Sequence, residues 1–233
     1  MLKAVFGNWT RALCCAMLSG LAAGQAAGGA GVQDAARRAV VAQEAGDWHS
    51  AAAEWAAAHA ALEPGERESP RAAAITYELG RALGVICRFE QSEQRLLEAL
   101  AIDEKTGGPA AMSLVELARL QLGSGHPRRA LPWFERAVRA LDAQDAASRD
   151  AEAYAGFLAE YAQAAGKSGD ATRAGVLRQR IEALQARHTH AHGHAERTPY
   201  GLHCAGSRSQ MPASKVAGKG AAPVFEKGYF RHA

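Results

Sequence analysis

The chain has 233 residues, with 27 basic and 24 acidic side chains and a formal net charge of +3 at pH 7. Residues 32–187 hold 19 basic and 22 acidic residues, so the basic excess lies at the two ends and the middle carries no electrostatic footprint for nucleic acid. Ala, Leu, Glu and Arg dominate that middle, and runs of β-branched residues are absent. This composition predicts an all-α fold.

Residues 1–30 have the pattern of a secretory signal peptide. Lys3 and Arg11 supply the basic region, an apolar core of 12 residues follows, and small residues then lead to cleavage expected after Ala26 or Ala27. A permanent transmembrane helix needs about 20 apolar residues, so this core is too short to be one. We therefore predict an exported protein, periplasmic or secreted in a bacterial envelope, without a permanent membrane span.

Removal of the signal leaves two cysteines, Cys87 and Cys204. An oxidising compartment would permit a disulfide between them. The sequence does not fix the distance that separates them in space, and that distance decides whether they can be bridged. Two unpaired thiols are the favoured interpretation, and pairing stays open.

The middle of the chain repeats one pattern, an apolar stripe at helical spacing, a turn and a second stripe. The third copy shows it most clearly, with Ala130, Phe134, Ala137 and Leu141 at i, i+4, i+7 and i+11 after the breaker at 123–125. The copies begin near residues 32, 73, 111 and 155. A helix pair this short cannot bury its own apolar face, so stacking on neighbours is expected. The alternative is an Ala-rich helical bundle without a regular superhelix.

Two local features leave alternatives open. Pro132 lies about five residues into the second helix of the third copy, where a proline removes a backbone hydrogen bond, so that helix either begins near Leu131 or is kinked. Trp48 and Trp55 are seven residues apart and share one helix face. Packing in the core is favoured for them over a ligand platform.

The arrangement resembles the tetratricopeptide repeat (TPR), which pairs a large and a small residue on its first helix and places a small, a bulky and a small residue on its second. The matching residues are Ala51, Trp55 and Ala58, then Leu79-Gly80 with Ser92, Leu96 and Ala99, then Leu117-Ala118 with Ala130, Phe134 and Ala137, and more weakly Tyr161-Ala162 with Ala174, Arg178 and Ile181. The resemblance covers residues 31–187. It implies an α-solenoid of about four helix-turn-helix repeats.

The resemblance also implies a binding surface, because the first helices of such repeats line a concave groove that often holds a partner peptide. The positions it assigns to the groove are Tyr77, Arg81, Met112, Val115, Arg119, Gln163 and Lys167. Arg81 and Arg119 occupy equivalent places and could grip an acidic segment by paired hydrogen bonds. The favoured alternative is a solvated face on which they pair with Glu78 and Glu116, each three residues earlier.

Residues 188–233 lack helical periodicity and are rich in Gly, Ser, Pro and Lys, which predicts a disordered tail. His188, His190, His192 and His194 alternate at its start. Imidazole is a good ligand for Zn, Cu or Ni, but no carboxylate or thiol framework fixes a geometry. Adventitious metal binding is therefore favoured over a physiological site.

No HExxH, GxSxG, GxxxxGK[ST] or CxxC motif occurs in the chain, so the sequence predicts neither an enzyme nor a cofactor site. Our leading hypothesis is an exported scaffold that binds a protein or peptide partner through the repeat groove. The alternative is a transition-metal-binding envelope protein that uses its His-rich tail. The oligomeric state stays open.

Overall fold

The computed structural model of the chain describes residues 28–187, 197–201, 203 and 204. All regular structure within these residues is helical, which confirms the all-α prediction. The helices are α1 (Gly28–Glu44), α2 (Trp48–Ala60), α3 (Pro70–Val85), α4 (Phe89–Thr106), α5 (Ala110–Gly123), α6 (Pro127–Ala143), the short α7 (Ala146–Arg149), α8 (Ala151–Ser168) and α9 (Ala171–Arg187), with a 3-10 turn at Pro64–Glu66. Among the described residues, no helix combines the length and apolarity needed to span a bilayer.

The helices form four consecutive hairpins, α1–α2, α3–α4, α5–α6 and α8–α9, and each hairpin stacks on the next. Helix α7 lies in the connection between the third and fourth hairpins. The hairpins begin at Gly28, Pro70, Ala110 and Ala151, slightly before the predicted starts. The predicted α-solenoid of four helix-turn-helix units is therefore confirmed.

The predicted packing positions form the core. Phe134 is fully buried between the small residues Ala130 and Ala137, which are also fully buried. Trp48 and Trp55 are 7% and 3% exposed and belong to the same core cluster, so packing is confirmed for both tryptophans over a ligand platform. Burial of one large side chain on a single stripe per helix joins successive hairpins into one continuous core.

The turn inside each hairpin ends its first helix in the same way. Gly46, Gly125 and Gly169 adopt left-handed φ angles of 74°, 87° and 91°, and Cys87 takes the equivalent place in the second hairpin with φ 66°. In all four turns the next residue donates its backbone N–H to the carbonyl five positions earlier, at 2.8–2.9 Å. This hydrogen bond is typical of the Schellman helix end, which favours glycine at that place. Cys87 therefore occupies a backbone position that costs an ordinary residue about 1 kcal/mol.

Helix α6 begins at Pro127, so the alternative start near Leu131 is wrong. Pro132 lies inside the helix, on an exposed side. Its ring removes the hydrogen bond that the carbonyl of Arg128 would accept. Arg128 is also exposed, so solvent can satisfy that carbonyl.

Candidate functional site on the inner face

The first helices of the four hairpins, α1, α3, α5 and α8, form one surface that we call the inner face. Polar side chains connect each of these helices to the next. The Gln43 side-chain amide on α1 donates to Glu78 on α3 at 3.2 Å. We call the whole series the polar ladder, and its members are Gln43, Glu78, Arg81, Glu116, Arg119 and Glu160.

The ladder continues from α3 to α5 and α8. Arg81 Nε on α3 lies 3.9 Å from Glu116 Oε2 on α5. Arg119 on α5 donates twice to Glu160 on α8, at 2.7 and 3.0 Å. One line of polar contacts therefore crosses all four hairpins.

The predicted pairs within single helices are present, but they are not solvated. Arg81 lies 3.4 Å from Glu78, and Arg119 lies 3.2 Å from Glu116. The side chains of Glu78 and Glu116 are only 9% and 3% exposed. Pairing three residues apart is therefore confirmed, and the expectation of a solvated face is wrong. The stacked hairpins and the segment described next exclude water from these charges.

A piece of the C-terminal tail lies on the inner face. We call residues 197–201, 203 and 204 the docked segment. Arg197 donates to Glu116, from Nε to Oε1 at 3.2 Å and from Nη2 to Oε2, and the Tyr200 hydroxyl donates to Glu116 Oε2 at 2.5 Å. The Arg197 guanidinium lies 4.6 Å from the Tyr200 ring centroid. Glu116 therefore holds two side chains that also stack on each other.

Two glycines form the seat of the Tyr200 ring. A Cβ atom at Gly84, near the end of α3, would overlap the ring, and one at Gly123, the last residue of α5, would lie 2.9 Å from Tyr200 Cβ. Tyr200 is 7% exposed in this position. Its close approach is possible because neither helix carries a side chain there.

A disulfide joins Cys87 to Cys204, with the Cα atoms 5.3 Å apart. The favoured expectation of two unpaired thiols is therefore wrong. The docked segment brings Cys204 to the turn between α3 and α4, across 117 residues of sequence. The sequence did not predict that approach, because it depends on where Tyr200 packs.

Electrostatics keep Glu116 ionised. Burial alone would raise its pKa, but the guanidiniums of Arg197, Arg119 and Arg81 outweigh burial and hold the pKa well below its usual range. Burial raises the pKa of Tyr200, and the charge of Glu116 raises it further. The phenol therefore stays protonated, and its O–H group donates a hydrogen bond to an ionised carboxylate, which is a strong hydrogen bond.

Glu78 lies in a weaker field. Burial raises its pKa, and Arg81 and the Gln43 amide only partly oppose that rise. Fewer cations surround Glu78 than Glu116, which makes Glu116 the electrostatic centre of the ladder.

The groove residues predicted from the resemblance fall into different environments. Tyr77 and Met112 are half-buried, and Arg81 and Arg119 belong to the polar ladder. Val115 is 2% exposed, so the structure places it in the core rather than on a free surface.

Gln163 and Lys167 are exposed on α8. They follow Glu160 by three and seven residues, so they lie on the face of α8 that carries the ladder. The groove prediction therefore covers a buried part near α3 and α5 and an open part along α8.

Other predicted features lie outside the described residues. These are the signal peptide up to residue 27, the four alternating histidines His188, His190, His192 and His194, and most of the predicted tail. Within the part of the chain that is described, no group of three or more His, Cys, Asp or Glu side chains is arranged to hold a metal ion. The metal hypothesis stays a prediction.

Sequence reasoning missed Arg197 and Tyr200, and it named Glu116 as the partner of Arg119 without recognising its role as the centre of the site. Three signals were present. Glu-X-X-Arg recurs at 78–81 and 116–119, a glycine lies at or next to the last residue of both central first helices, and a cysteine replaces glycine in one turn of four. Each becomes informative only when the repeats are aligned with one another.

Comparisons with known proteins agree with the fold. Residues 71–143 match the family model described as tetratricopeptide repeat. A search of curated proteins finds no match to the chain. BtubC (BKLC) from P. vanneervenii is similar in structure, with a TM-score of 0.66 and 19% identity over 81% of this chain and 75% of that one.

Two structures of a Podosopora anserina protein, named as a kinesin light chain with nearly identical TPR-like repeats, are similar at a TM-score of 0.55 and 19% identity. They cover 78% of this chain, and 85% and 86% of their own. At this identity the similarity shows the fold alone, a TPR-like solenoid.

Proposed function

We propose that this protein is an exported scaffold that binds a protein or peptide partner through the inner face of its repeats. One observation carries the proposal. The inner face already holds a non-helical segment, through Glu116 and the glycine seat, by contacts that another chain could make. Repeats of the TPR type are protein-interaction modules, which agrees with a partner of this kind.

The charges of the inner face argue against an acidic partner at its centre. Arg81 and Arg119, the two candidates for gripping a carboxylate, are already paired with Glu78, Glu116 and Glu160 of the same chain. An incoming anion would have to compete with these carboxylates for each guanidinium. The partner segment is therefore expected to be basic or neutral there.

Two features support export. Residues 1–30 have the signal-peptide pattern, and the Cys87–Cys204 disulfide is of the kind that persists in oxidising compartments. Expression of the full chain in a bacterial host tests this part. We expect the intact mass of the envelope-fraction protein to lack 26 or 27 N-terminal residues, and an uncleaved protein retained in the cytoplasm would contradict export.

Site-specific photocrosslinking tests the binding surface. A photoreactive amino acid at Gln163, on the open part of the inner face, is compared with one at Val176, a 60% exposed position on the second helix α9. In native envelope extract we expect a discrete adduct from Gln163 that is absent from Val176. Equal labelling at both positions, or none at Gln163, would contradict the assignment of the inner face.

A further inference from the structure

The docked segment shows which chemistry the inner face recognises. Arg197 and Tyr200 reach one carboxylate, Glu116, and Gly201 follows the tyrosine. Resting on the proposed function, we infer that the site around Glu116 binds a partner segment of the form Arg-X-X-Tyr-Gly, and that the docked segment is its intramolecular occupant.

Charge favours an arginine in this site. Without Arg197, the ladder holds three carboxylates, Glu78, Glu116 and Glu160, and two guanidiniums, Arg81 and Arg119, a formal excess of one negative charge. An incoming guanidinium restores neutrality and can bind Glu116 through two nitrogens, as Arg197 does.

The repeats themselves supply cations to Glu116. Arg119 at 3.2 Å and Arg81 at 3.9 Å belong to α5 and α3 and not to the docked segment. Loss of the docked segment therefore leaves no buried carboxylate without a cation. A buried charge without a partner would be strongly destabilising. An empty and folded state is therefore accessible.

Shape favours tyrosine followed by glycine. The ring seat excludes a side chain at Gly84 and Gly123, and the phenol hydroxyl ends on Glu116. Phenylalanine would fill the seat but would lack the hydroxyl that donates to Glu116 Oε2. Gly201 adopts a left-handed φ of 81°, and a Cβ there would lie 3.5 Å from the carbonyl of Gly123. Glycine is the residue that this turn prefers.

The docked segment has the features of a ligand rather than of a structural element. It forms no helix, and its recognition is concentrated in Arg197 and Tyr200, which stack on each other. Besides the polypeptide chain itself, the covalent link between the segment and the repeats is the reducible Cys87–Cys204 bond. That bond keeps the segment at a high effective concentration, so a free peptide competes poorly while it is intact.

Thiol–disulfide exchange opens the site. A dithiol reductant attacks one sulfur of the disulfide through a mixed disulfide and then closes on itself. It loses two electrons and two protons, and Cys87 and Cys204 become free thiols. Among the contacts described above, those of Arg197 and Tyr200 then hold the docked segment, together with the polypeptide chain that precedes it.

A labelled peptide that copies residues 196–203 tests the inference. The receptor is the full mature chain with the three substitutions Arg197→Ala, Tyr200→Ala and Cys204→Ser, which we call the open variant. Fluorescence anisotropy should show a Kd on the order of 10 μM for the open variant. The oxidised wild-type protein should bind at least 100-fold more weakly, and a dithiol should recover part of that loss.

Control variants locate the binding. In the open variant, Gly84→Ala fills the ring seat and should weaken peptide binding at least tenfold, whereas Gly156→Ala, at an open position of α8, should leave it unchanged. Glu116→Gln should weaken it at least as much as Gly84→Ala. Circular dichroism checks that each variant is folded. If Glu116→Gln is unfolded, Gly84→Ala remains as the variant that tests the site.

Changes in the peptide test the recognised groups. Replacement of its tyrosine by phenylalanine, or of its arginine by lysine, should each weaken binding severalfold, because one removes a hydroxyl and the other removes the two-nitrogen contact. Equal affinity for all three peptides would overturn the assignment of the site.

Absence of binding to a folded open variant would also overturn the inference, and the docked segment would then be a covalent clamp of this chain alone. That result is distinguishable from failure of the proposed function. An adduct at Gln163 without peptide binding keeps the scaffold and removes the Arg-X-X-Tyr-Gly site. Peptide binding without an adduct keeps the recognition chemistry and removes the claim of an envelope partner.

Discussion

The two ends of the inner face use the same repeat register and differ in what they expose. Around α3 and α5 the face is closed, because Glu116 and its cations are buried beneath Arg197 and Tyr200. Along α8 it is open, and Gln163 and Lys167 are exposed.

Two features account for the difference, the docked segment that covers Glu116 and one side chain on α8. Glu116 has Arg119 three residues later, whereas Glu160 has Gln163 at that position. The neutral amide of Gln163 adds no ion pair, and α8 is the first helix of the last hairpin that the structure describes, so the ladder stops there.

The largest expected effect is the loss of stability when the disulfide at the closed end is removed. Cys204→Ser should lower the free energy of unfolding by about 3 kcal/mol, because the disulfide closes a loop that spans 117 residues of sequence. Urea titration of both proteins without reductant measures the loss. A loss below about 1 kcal/mol would mean that the disulfide restricts the unfolded chain very little.

Cys87 allows a matched comparison at the same turn. Cys87→Gly and Cys87→Ser both remove the disulfide, but only glycine relieves the left-handed backbone at φ 66°. We expect the glycine variant to be more stable than the serine variant by about 1 kcal/mol. Equal stability would show that this turn tolerates any residue.

Carboxylates at the two ends should respond unequally to the same change. Glu116→Gln should cost about 3 kcal/mol, because it leaves three guanidiniums around a neutral amide. Glu160→Gln should cost less than about 1 kcal/mol, because the Glu160 side chain is 36% exposed and water replaces the lost charge. Urea unfolding at pH 7 measures both, and similar losses would remove the distinction between a closed and an open end.

The pH dependence gives the sign of the Glu116 effect. Its folded pKa lies below the unfolded value, so its contribution is fully present above the unfolded pKa and is lost as the pH falls towards the folded pKa. The difference between wild type and Glu116→Gln should therefore be constant from pH 8 to 6 and shrink below about pH 4.

Substitution of alanine for glycine should change the stability in opposite directions at the two ends. Gly84→Ala should destabilise by about 2 kcal/mol, because its Cβ overlaps the Tyr200 ring and would lie 2.9 Å from Ser92 Oγ. Gly156→Ala on α8 meets nothing within 4 Å and should stabilise by about 0.5 kcal/mol through helix propensity. Thermal unfolding of the pair reports the difference, and stabilisation by both would place Tyr200 elsewhere.

The smallest expected effect contrasts Glu116 with a buried carboxylate whose pKa moves in the other direction. Burial raises the pKa of Asp103 to about 6. The folded protein therefore holds this proton more tightly than the unfolded chain, and wild-type stability should fall as the pH rises from about 4 to above 6. Asp103→Asn should gain about 1 kcal/mol at pH 8 and nothing at pH 4. A gain independent of pH would indicate a packing effect instead.

Local patterns predicted the hairpins well. The spacing of Ala130, Phe134 and Ala137 identifies one buried stripe, and the same rule located the other second helices, because helical periodicity depends only on neighbouring residues. The turn glycines marked three of four helix ends for the same reason. The effect of Pro132 was harder to predict, because it depends on whether solvent reaches the carbonyl that the proline leaves without a hydrogen bond.

The site depends on contacts that no local pattern contains. Tyr200 reaches Glu116 across 84 residues, and Cys204 reaches Cys87 across 117. Arg81 and Arg119 were recognised as equivalent, but whether water surrounds them depends on the segment that covers them. For this reason the sequence predicted the ion pairs correctly and their solvation wrongly.

A double-mutant cycle between Glu116 and Tyr200 tests the central claim most directly. Urea unfolding is measured for the wild type, Glu116→Gln, Tyr200→Phe and the double variant, all with the disulfide intact. A hydroxyl that donates to a buried ionised carboxylate at 2.5 Å predicts a coupling energy of about 1.5 kcal/mol. Effects that add within about 0.3 kcal/mol would show that the two residues do not meet, and would contradict the docking of the C-terminal segment on the inner face.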